Sequence, residues 1–189
     1  MELFLVTSNN HKFLKIQTAF GHPLRQIDLD LIEVQTTIVA EVIEHKVKEA
    51  YRQVGKPVLV EDTGLTFAAW NGLPGALIRW FLTSVGNDGI CTMLDGFTER
   101  RAVAESCIGF YDGTKFAAFS ATVSGVITQA PRGSYGFGWD PIFQPNWAEK
   151  TFAEFAPGES LLVDMRRDAA LQMRAYLEKE DELSNTGDH

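Results

Sequence analysis

The sequence predicts an α/β fold built on a mixed β-sheet. Short apolar runs alternate with amphipathic helical patterns over residues 1–60. Two longer strand-like segments then flank the dipeptide Asp112-Gly113, which is typical of a β-hairpin. A further helical pattern follows at residues 161–177. Strand–helix alternation followed by a hairpin indicates helices packed on a sheet that contains both parallel and antiparallel strands.

The first elements are a strand, a polar loop and a helix. Residues 3–6 are apolar, the residues TSNN follow, and residues 11–20 have helical apolar periodicity. Alternation of apolar and polar residues predicts a half-buried strand over residues 26–34, and residues 38–54 predict a second helix. The apolar run 58–60 predicts a buried strand that ends at two acids, before a turn at Thr63-Gly64.

The later elements include two helices, the hairpin and a glycine-rich loop. The segments are, in order, a loop at 71–75, helical patterns at 76–85 and 89–94, strands at 101–111 and 115–126, the glycine-rich loop at 131–138, and the helix at 161–177. Because the last residues are charged and polar, we expect residues 1–178 to form a single domain and residues 179–189 to form a flexible tail.

Composition excludes several classes of protein. The net charge is −8 and the pI is about 5.0, whereas proteins that track polymeric nucleic acid carry a basic excess. No run of 18 apolar residues is present, and the first residues lack the pattern of a signal peptide. Cys91 and Cys107 form neither a ligand pattern nor a disulfide framework. We therefore expect a cytoplasmic protein that acts neither on a membrane nor on a nucleic-acid polymer.

The loop after the first strand is a candidate phosphate-binding segment. Thr7, Asn9 and Lys12 lie where a strand leads into a helix N-terminus. Backbone N–H groups and the helix dipole favour anions there, and Lys12 adds a full positive charge. The alternative is an ordinary helix cap followed by a solvated lysine.

Three acids follow strand-like segments and are candidate metal ligands. Glu33 ends one alternating pattern, and Glu61 and Asp62 end the apolar run at 58–60. Neighbouring strand ends lie together at an edge where α/β sheets bind ligands, and carboxylates beside phosphate oxygens suit Mg²⁺. Successive strand residues face opposite sides, so Glu61 and Asp62 are expected to have different tasks. The alternative is a solvent-exposed acidic turn.

The segment 130–145 is a candidate base-binding loop. It combines glycines, which let a backbone approach a ligand closely, with aromatic side chains that can stack on a base. The alternative is a hydrophobic lid on the sheet edge, which would account for Trp139 and Phe143 without a ligand.

In their order along the chain, these motifs resemble the inosine triphosphate pyrophosphatase family, whose members hydrolyse non-canonical purine nucleoside triphosphates. The resemblance covers roughly residues 1–175 and rests on these segments: Thr7-x-Asn9-x-x-Lys12, Glu33 in LIEVQ, VLVEDTGL, GLPG at 72–75, PRG…FGWDPIFQP at 131–145, and TFAEF at 151–155. Lys46 falls where the family has a substrate-contacting lysine.

The resemblance implies a fold, a reaction and a set of site residues. It implies an elongated two-lobed mixed-sheet fold with the active site in the cleft between the lobes, a homodimer, and Mg²⁺-dependent hydrolysis of the triphosphate to the monophosphate and pyrophosphate. Asp62 and Lys46 are the implied catalytic residues, and Glu33, Asp62 and Glu61 the implied metal ligands. The implied substrate-binding residues are Thr7, Asn9, Lys12, Phe137, Trp139, Asp140, Asp164 and Arg166.

One segment departs from the family pattern. The family has a lysine and then a Ser-His-Arg triplet, whereas this chain has Ser160 and then Asp164-Met165-Arg166. Donors that read the 6-oxo group of a purine are thereby replaced by a hydroxyl, a thioether and an acceptor. Either Arg166 and backbone groups still read the oxo group, or Asp164 accepts from an exocyclic amino group and the base preference is shifted.

Other classes of function stay open at this point. The chain could bind nucleotides with lost or weak catalysis, or be a pyrophosphatase for another modified nucleotide, as in the related septum-formation class. A structural protein would have no reason to gather Lys12, Glu33, Lys46 and Asp62 at one sheet edge.

Overall fold

The computed structural model describes residues 2–160 and 164–186 and has a mixed α/β fold, as the sequence predicts. Its seven strands form one sheet in the order β2-β1-β3-β5-β6-β7, with β4 paired to β3. The strands are β1 Phe4–Val6, β2 Arg25–Ile27, β3 Val58–Phe67, β4 Pro74–Gly75, β5 Arg101–Tyr111, β6 Phe116–Ile127 and β7 Phe143–Pro145. The helices are α1 Asn10–Phe20, α2 Val39–Val54, α3 Ile78–Met93, α4 Pro157–Ser160 and α5 Met165–Thr186.

Helices cover both faces of the first half of the sheet. Leu59 packs with α1 and α5 on one face, whereas Val58 and Val60 pack with α2 on the other. A third apolar cluster lies towards the other end of β3 and includes Leu65, Phe67 and buried residues of α3. The core therefore divides along β3, and the two acids of this strand lie between its parts.

Strand β3 is much longer than the predicted run 58–60. It pairs antiparallel with β5 over its whole length, and Glu61 and Asp62 lie in its middle rather than at its end. The predicted turn at Thr63-Gly64 is wrong. Gly64 serves close packing instead, because a Cβ there would lie 2.6 Å from Cγ2 of Val39 at the start of α2.

The other edge of β3 is interrupted at the acids. Strand β1 pairs with Val58 and Leu59, and β4 pairs with Leu65 and Thr66. The intervening part of β3 has β5 beside it on one edge and the N-terminal loop near the other. This gap gives the acids access to an adjoining cavity.

Several other boundaries differ from the expectation. Strand β2 ends at Ile27 because β1, its partner, ends at Val6, and residues 28–38 are irregular. The two predicted helical patterns on either side of Gly86 are confirmed as two helices joined at a kink, where Gly86 has φ +68° and ψ −177°; they are labelled together as α3. The last helix begins at Met165 and continues to Thr186, into the expected tail; residues 161–163, its predicted start, and 187–189 lie outside the described residues.

Within the described residues, no helix has the length and apolar character needed to cross a membrane. Cys91 and Cys107 are both buried and free. Burial raises the pKa of the Cys107 thiol to about 11, so this side chain behaves as a small apolar group at neutral pH.

Candidate active site

A cavity of about 530 Å³ opens at the gap beside β3. Its lining comes from the loop after β1, the irregular segment 28–38, α2, the middle of β3, the start of α3, the glycine-rich loop and the start of α5. Ten of the residues predicted from the sequence line it: Thr7, Asn9, Lys12, Glu33, Lys46, Glu61, Asp62, Phe137, Trp139 and Arg166.

The N-terminal loop is shaped by its own side chains. Asn9 is the N-cap of α1, and its Oδ1 accepts a hydrogen bond from the backbone N–H of Lys12 at 3.0 Å. Thr7 Oγ1 accepts from the backbone N–H of Asn9 at 3.1 Å. The interpretation of this loop as a helix N-cap is therefore confirmed for Asn9. Lys12 is not a solvated lysine, because its Nζ lies 2.9 Å from Glu61 Oε2.

Glu61 and Asp62 face opposite sides of the sheet, as strand alternation requires. Glu61 lies on the α1 and α5 side, where Lys12 and Arg166 approach it. Asp62 lies on the α2 side, where Lys46 Nζ is 3.3 Å from its Oδ2. Two adjacent acids thus meet cations delivered by three different helices.

Lys46 joins two of the acids. Its Nζ lies 2.5 Å from Glu33 Oε1 and 3.3 Å from Asp62 Oδ2. Burial lowers the pKa of Lys46, but the negative charges of Asp62 and Glu33 outweigh it, so the pKa is raised and the ammonium stays charged. Burial likewise opposes ionisation of Asp62, and Lys12, Lys46 and the Thr63 backbone N–H overcome it, so its pKa is lowered.

A second network runs from Glu61 towards the glycine-rich loop. The guanidinium of Arg166 is almost fully buried, with its Nε 3.3 Å from Glu61 Oε1 and its Nη1 3.0 Å from Asp164 Oδ2. Asp164 Oδ2 also accepts from Lys15 Nζ at 2.5 Å, and Oδ1 accepts from the backbone N–H of Arg166. Burial opposes ionisation of Asp164, but Arg166 and Lys15 lower its pKa.

Phe137 presents its ring beside this network. Lys15 Nζ lies 5.7 Å and Arg166 Cζ lies 4.9 Å from the ring centroid. The loop is fastened by Asp140, whose Oδ2 accepts from the backbone N–H of Phe137 at 3.0 Å. Gly136 has φ +75°, and a Cβ there would lie 2.3 Å from the same oxygen, so the loop needs glycine at this point.

Two of the predicted site residues lie behind the cavity wall. Asp140 is buried and supports Phe137, and both oxygens of Asp164 are engaged by Arg166, with Lys15 also on Oδ2. Met165 packs in the apolar cluster that contains Trp139 and Phe143, so it fills the core. The side chain of Ser160 lies outside the described residues.

Sequence reasoning missed several residues of this region. Asp30 and Arg79 line the cavity, and Arg79 Nη1 lies 3.7 Å from Glu33 Oε2. His11 and Lys15 lie beside Phe137. Lys15 follows Lys12 by three positions on α1, and this helical spacing was the signal that both face the same region.

The donor set suits a hard cation that also binds the substrate. Glu61 Oε2 is buried and, among the described residues, accepts no hydrogen bond; its contact is the ion pair with Lys12. No group of three or more His, Cys, Asp or Glu in the described residues forms a ready-made metal site. Mg²⁺ commonly uses one or two carboxylates together with substrate phosphates, and Glu33 and Asp62, which Lys46 joins on the α2 side, fit that demand.

The lining is balanced in charge. Four cationic side chains face four carboxylates: Lys12, Lys46, Arg79 and Arg166 against Asp30, Glu33, Glu61 and Asp62. A triphosphate entering this cavity therefore cannot be neutralised by surplus protein cations. An additional cation that enters with the substrate would correct the imbalance.

Comparison with known proteins points to one family. The model of the Ham1 family matches residues 3–176. The inosine triphosphate pyrophosphatase of Schizosaccharomyces pombe is 40% identical over 182 residues, covering 94% of this chain and 96% of that protein. The dITP/XTP pyrophosphatase of Methanopyrus kandleri is 33% identical over 173 residues, covering 89% of this chain and 92% of that protein.

Solved structures agree with the sequence matches. A HAM1 protein from Coxiella burnetii superposes with a TM-score of 0.82 at 25% identity, covering 95% of this chain and all of that one. The Ham1 protein of Staphylococcus aureus superposes with a TM-score of 0.75 at 26% identity, with the same coverage.

Proposed function

Because the chain belongs to the Ham1 family, we propose that it is a pyrophosphatase of non-canonical purine nucleoside triphosphates. It hydrolyses substrates of the ITP, XTP and dITP type to the monophosphate and pyrophosphate, and so removes them from the nucleotide pool. The observation that carries the proposal is a single cavity that unites Lys12 and Lys46 with three carboxylates and ends at Phe137.

The phosphate half of the site comprises the N-terminal loop, Lys12 and Lys46. Both lysines now neutralise carboxylates, and each ammonium has at least one further N–H donor to offer phosphate oxygens. Charge developing on the phosphate oxygens in the transition state would be stabilised by these groups.

Asp62 is the candidate for orienting the attacking water. Its lowered pKa keeps it ionised at neutral pH, and a weakly basic carboxylate is better suited to hold and align a water than to remove its proton unaided. Glu33 and Asp62 would hold Mg²⁺ together with the phosphates, with Glu61 as the further candidate ligand across the gap beside β3; the bound ion would supply charge neutralisation and lower the pKa of water. Lys46, between Glu33 and Asp62, keeps these two acids close together.

The base half of the site comprises Phe137, Trp139 and Arg166. Phe137 offers a stacking face, and Asp140 and Trp139 hold its loop. Because the oxygens of Asp164 are engaged by Arg166 and Lys15, the cations beside Phe137 favour a base that presents acceptors, such as a 6-oxopurine. The shifted preference for an amino-bearing base is the alternative that a substrate panel must separate.

The family resemblance also leads us to propose a homodimer in the cytoplasm. Light scattering coupled to size-exclusion chromatography would test the oligomeric state.

The deciding experiment measures pyrophosphate release from ITP, XTP, dITP and the canonical triphosphates, with Mg²⁺ present. We expect the 6-oxopurine substrates other than GTP to be hydrolysed at least a hundredfold more efficiently. Asp62→Asn should abolish release while ITP still binds. An equal rate on amino-bearing or modified bases would refute the base preference, and binding without release by the parent protein would refute the catalysis.

A further inference from the structure

Lys15 is a largely buried cation to which the proposed reaction assigns no individual contact. Its side chain is 14% exposed, and within the described residues its ammonium makes one hydrogen bond, to Asp164 Oδ2. An ammonium has three donors, so two N–H groups are left for another partner. A largely buried ammonium with free donors is costly unless a ligand satisfies them.

The position of Lys15 points to that ligand. Its Nζ lies 5.7 Å from the centroid of Phe137, and the guanidinium of Arg166 lies 4.9 Å from the same centroid. Both cations contact Asp164 Oδ2, so they are neighbours beside the ring. Phe137 and Arg166 line the cavity, as does Lys12, one turn earlier on α1; Lys15 is not a lining residue and reaches this region through the Phe137 ring and Asp164.

Two described residues of the segment around Asp164 are unsuited to donating to an acceptor. Met165 is buried in the apolar core, and the carboxylate of Asp164 is an acceptor that is already occupied. Arg166 donates to Asp164 through Nη1, and its Nε faces Glu61 without a hydrogen bond, so neither contact occupies its Nη2. Helix α1 therefore supplies a second cation with free donors at the base end, beside the Nη2 group of Arg166.

We propose that Lys15 is a specificity-determining residue that donates a hydrogen bond to the oxo group at position 6 of the purine. Asp164 is the positioning residue that holds the Lys15 ammonium and the Arg166 guanidinium side by side. This inference rests on the proposed function, since it assumes that a purine stacks at Phe137.

The test compares two bases that differ in that one group. Inosine nucleotides carry the 6-oxo group, and purine riboside nucleotides lack it. Calorimetry without Mg²⁺ measures dissociation constants of the two monophosphates, and kcat/KM is measured for the two triphosphates with Mg²⁺. The variants are Lys15→Met, the conservative Lys15→Arg, and the control Lys48→Met on the exposed face of α2.

We expect Lys15→Met to weaken inosine monophosphate binding and to lower kcat/KM for ITP at least tenfold, while the purine riboside values change less than threefold. Lys15→Arg should recover part of the difference, and Lys48→Met should leave both bases unchanged. A parallel loss on both bases, or no loss on either, would overturn the inference. If the base-dependent binding difference appears but no variant or parent releases pyrophosphate, the proposed catalysis fails and the role of Lys15 stands. If the parent binds neither monophosphate and releases no pyrophosphate from either triphosphate, both proposals fall.

Discussion

Two buried aspartates beside Arg166 should respond in opposite ways to the same isosteric change. Asp164 makes direct contacts with Arg166 and Lys15, which lower its pKa although burial opposes ionisation. Asp140 is equally buried but touches neither cation closely enough to overcome burial, so its pKa is raised. The ionised carboxylate therefore stabilises the fold at position 164 and costs stability at position 140.

The size of the effect at Asp164 follows from its contacts. In Asp164→Asn one oxygen becomes an NH₂ group, so the Oδ2 bonds from Lys15 and Arg166 are lost. Charge-assisted bonds contribute about 1.5–3 kcal/mol each, and breaking a buried ion pair costs about 3–5 kcal/mol. We expect a loss of about 3–5 kcal/mol in the free energy of unfolding. Asp140→Asn keeps an oxygen for the Phe137 N–H and should not lower stability.

Urea denaturation as a function of pH tests the expected direction of the stability change in both variants. A lowered folded-state pKa contributes stability that is present above the unfolded value, about 3.9, and is lost as pH falls through the folded value. The deficit of Asp164→Asn should thus be full at pH 7 and shrink in acid below pH 4. A raised folded-state pKa has the opposite effect on stability, because the ionised carboxylate is the destabilising form. Any increase in the free energy of unfolding in Asp140→Asn should therefore be full at pH 7 and vanish in acid. Equal destabilisation of both variants at pH 7 would refute the reasoning.

Three further outcomes are expected. Chelation of divalent cations should abolish pyrophosphate release and Mg²⁺ should restore it, whereas restoration by monovalent salt alone would contradict the ligand role of Glu33 and Asp62. Phe137→Ala should weaken nucleotide binding by about 1–3 kcal/mol, read by calorimetry, if the ring stacks on the base; unchanged affinity would place the base elsewhere. Gly64→Ala should lower the free energy of unfolding by about 1–3 kcal/mol, read by urea titration, because its Cβ would collide with Val39; a neutral effect would mean that α2 yields easily.

Local sequence patterns were sufficient for most helices and for the hairpin. Apolar periodicity within each segment was enough to predict the strands 101–111 and 116–127 and the helix 39–54. The continuation of β3 beyond Val60 could not be read in this way. It depends on β5, some forty residues later in the chain, and on a glycine whose purpose is close packing with α2.

The site shows the same division. Lys12, Glu33 and Asp62 were recognisable because each belongs to a motif of its own, and Lys46 because it falls where the resembling family has a lysine. The ion pair between Asp164 and Lys15 could not be recognised from the sequence, because the two residues are 149 positions apart. Only the packing of α5 against α1 brings them together. An ion pair between helices that are distant in sequence cannot be predicted from any local sequence pattern.

The gap beside β3 has a consequence for solvent exchange of backbone amides. Where β1 and β4 leave the strand uncovered, the N–H of Thr63 bonds to Oδ1 of Asp62, at 2.8 Å. Amides that donate to β5 exchange with solvent when the central sheet opens, whereas this one is shielded by the carboxylate itself. The exchange rate of the Thr63 amide is therefore a direct probe of whether Asp62 is turned towards its own backbone or towards a ligand. Faster exchange of the Thr63 amide after Mg²⁺ and nucleotide are added would show that Asp62 has turned away from its backbone, without any measurement of turnover.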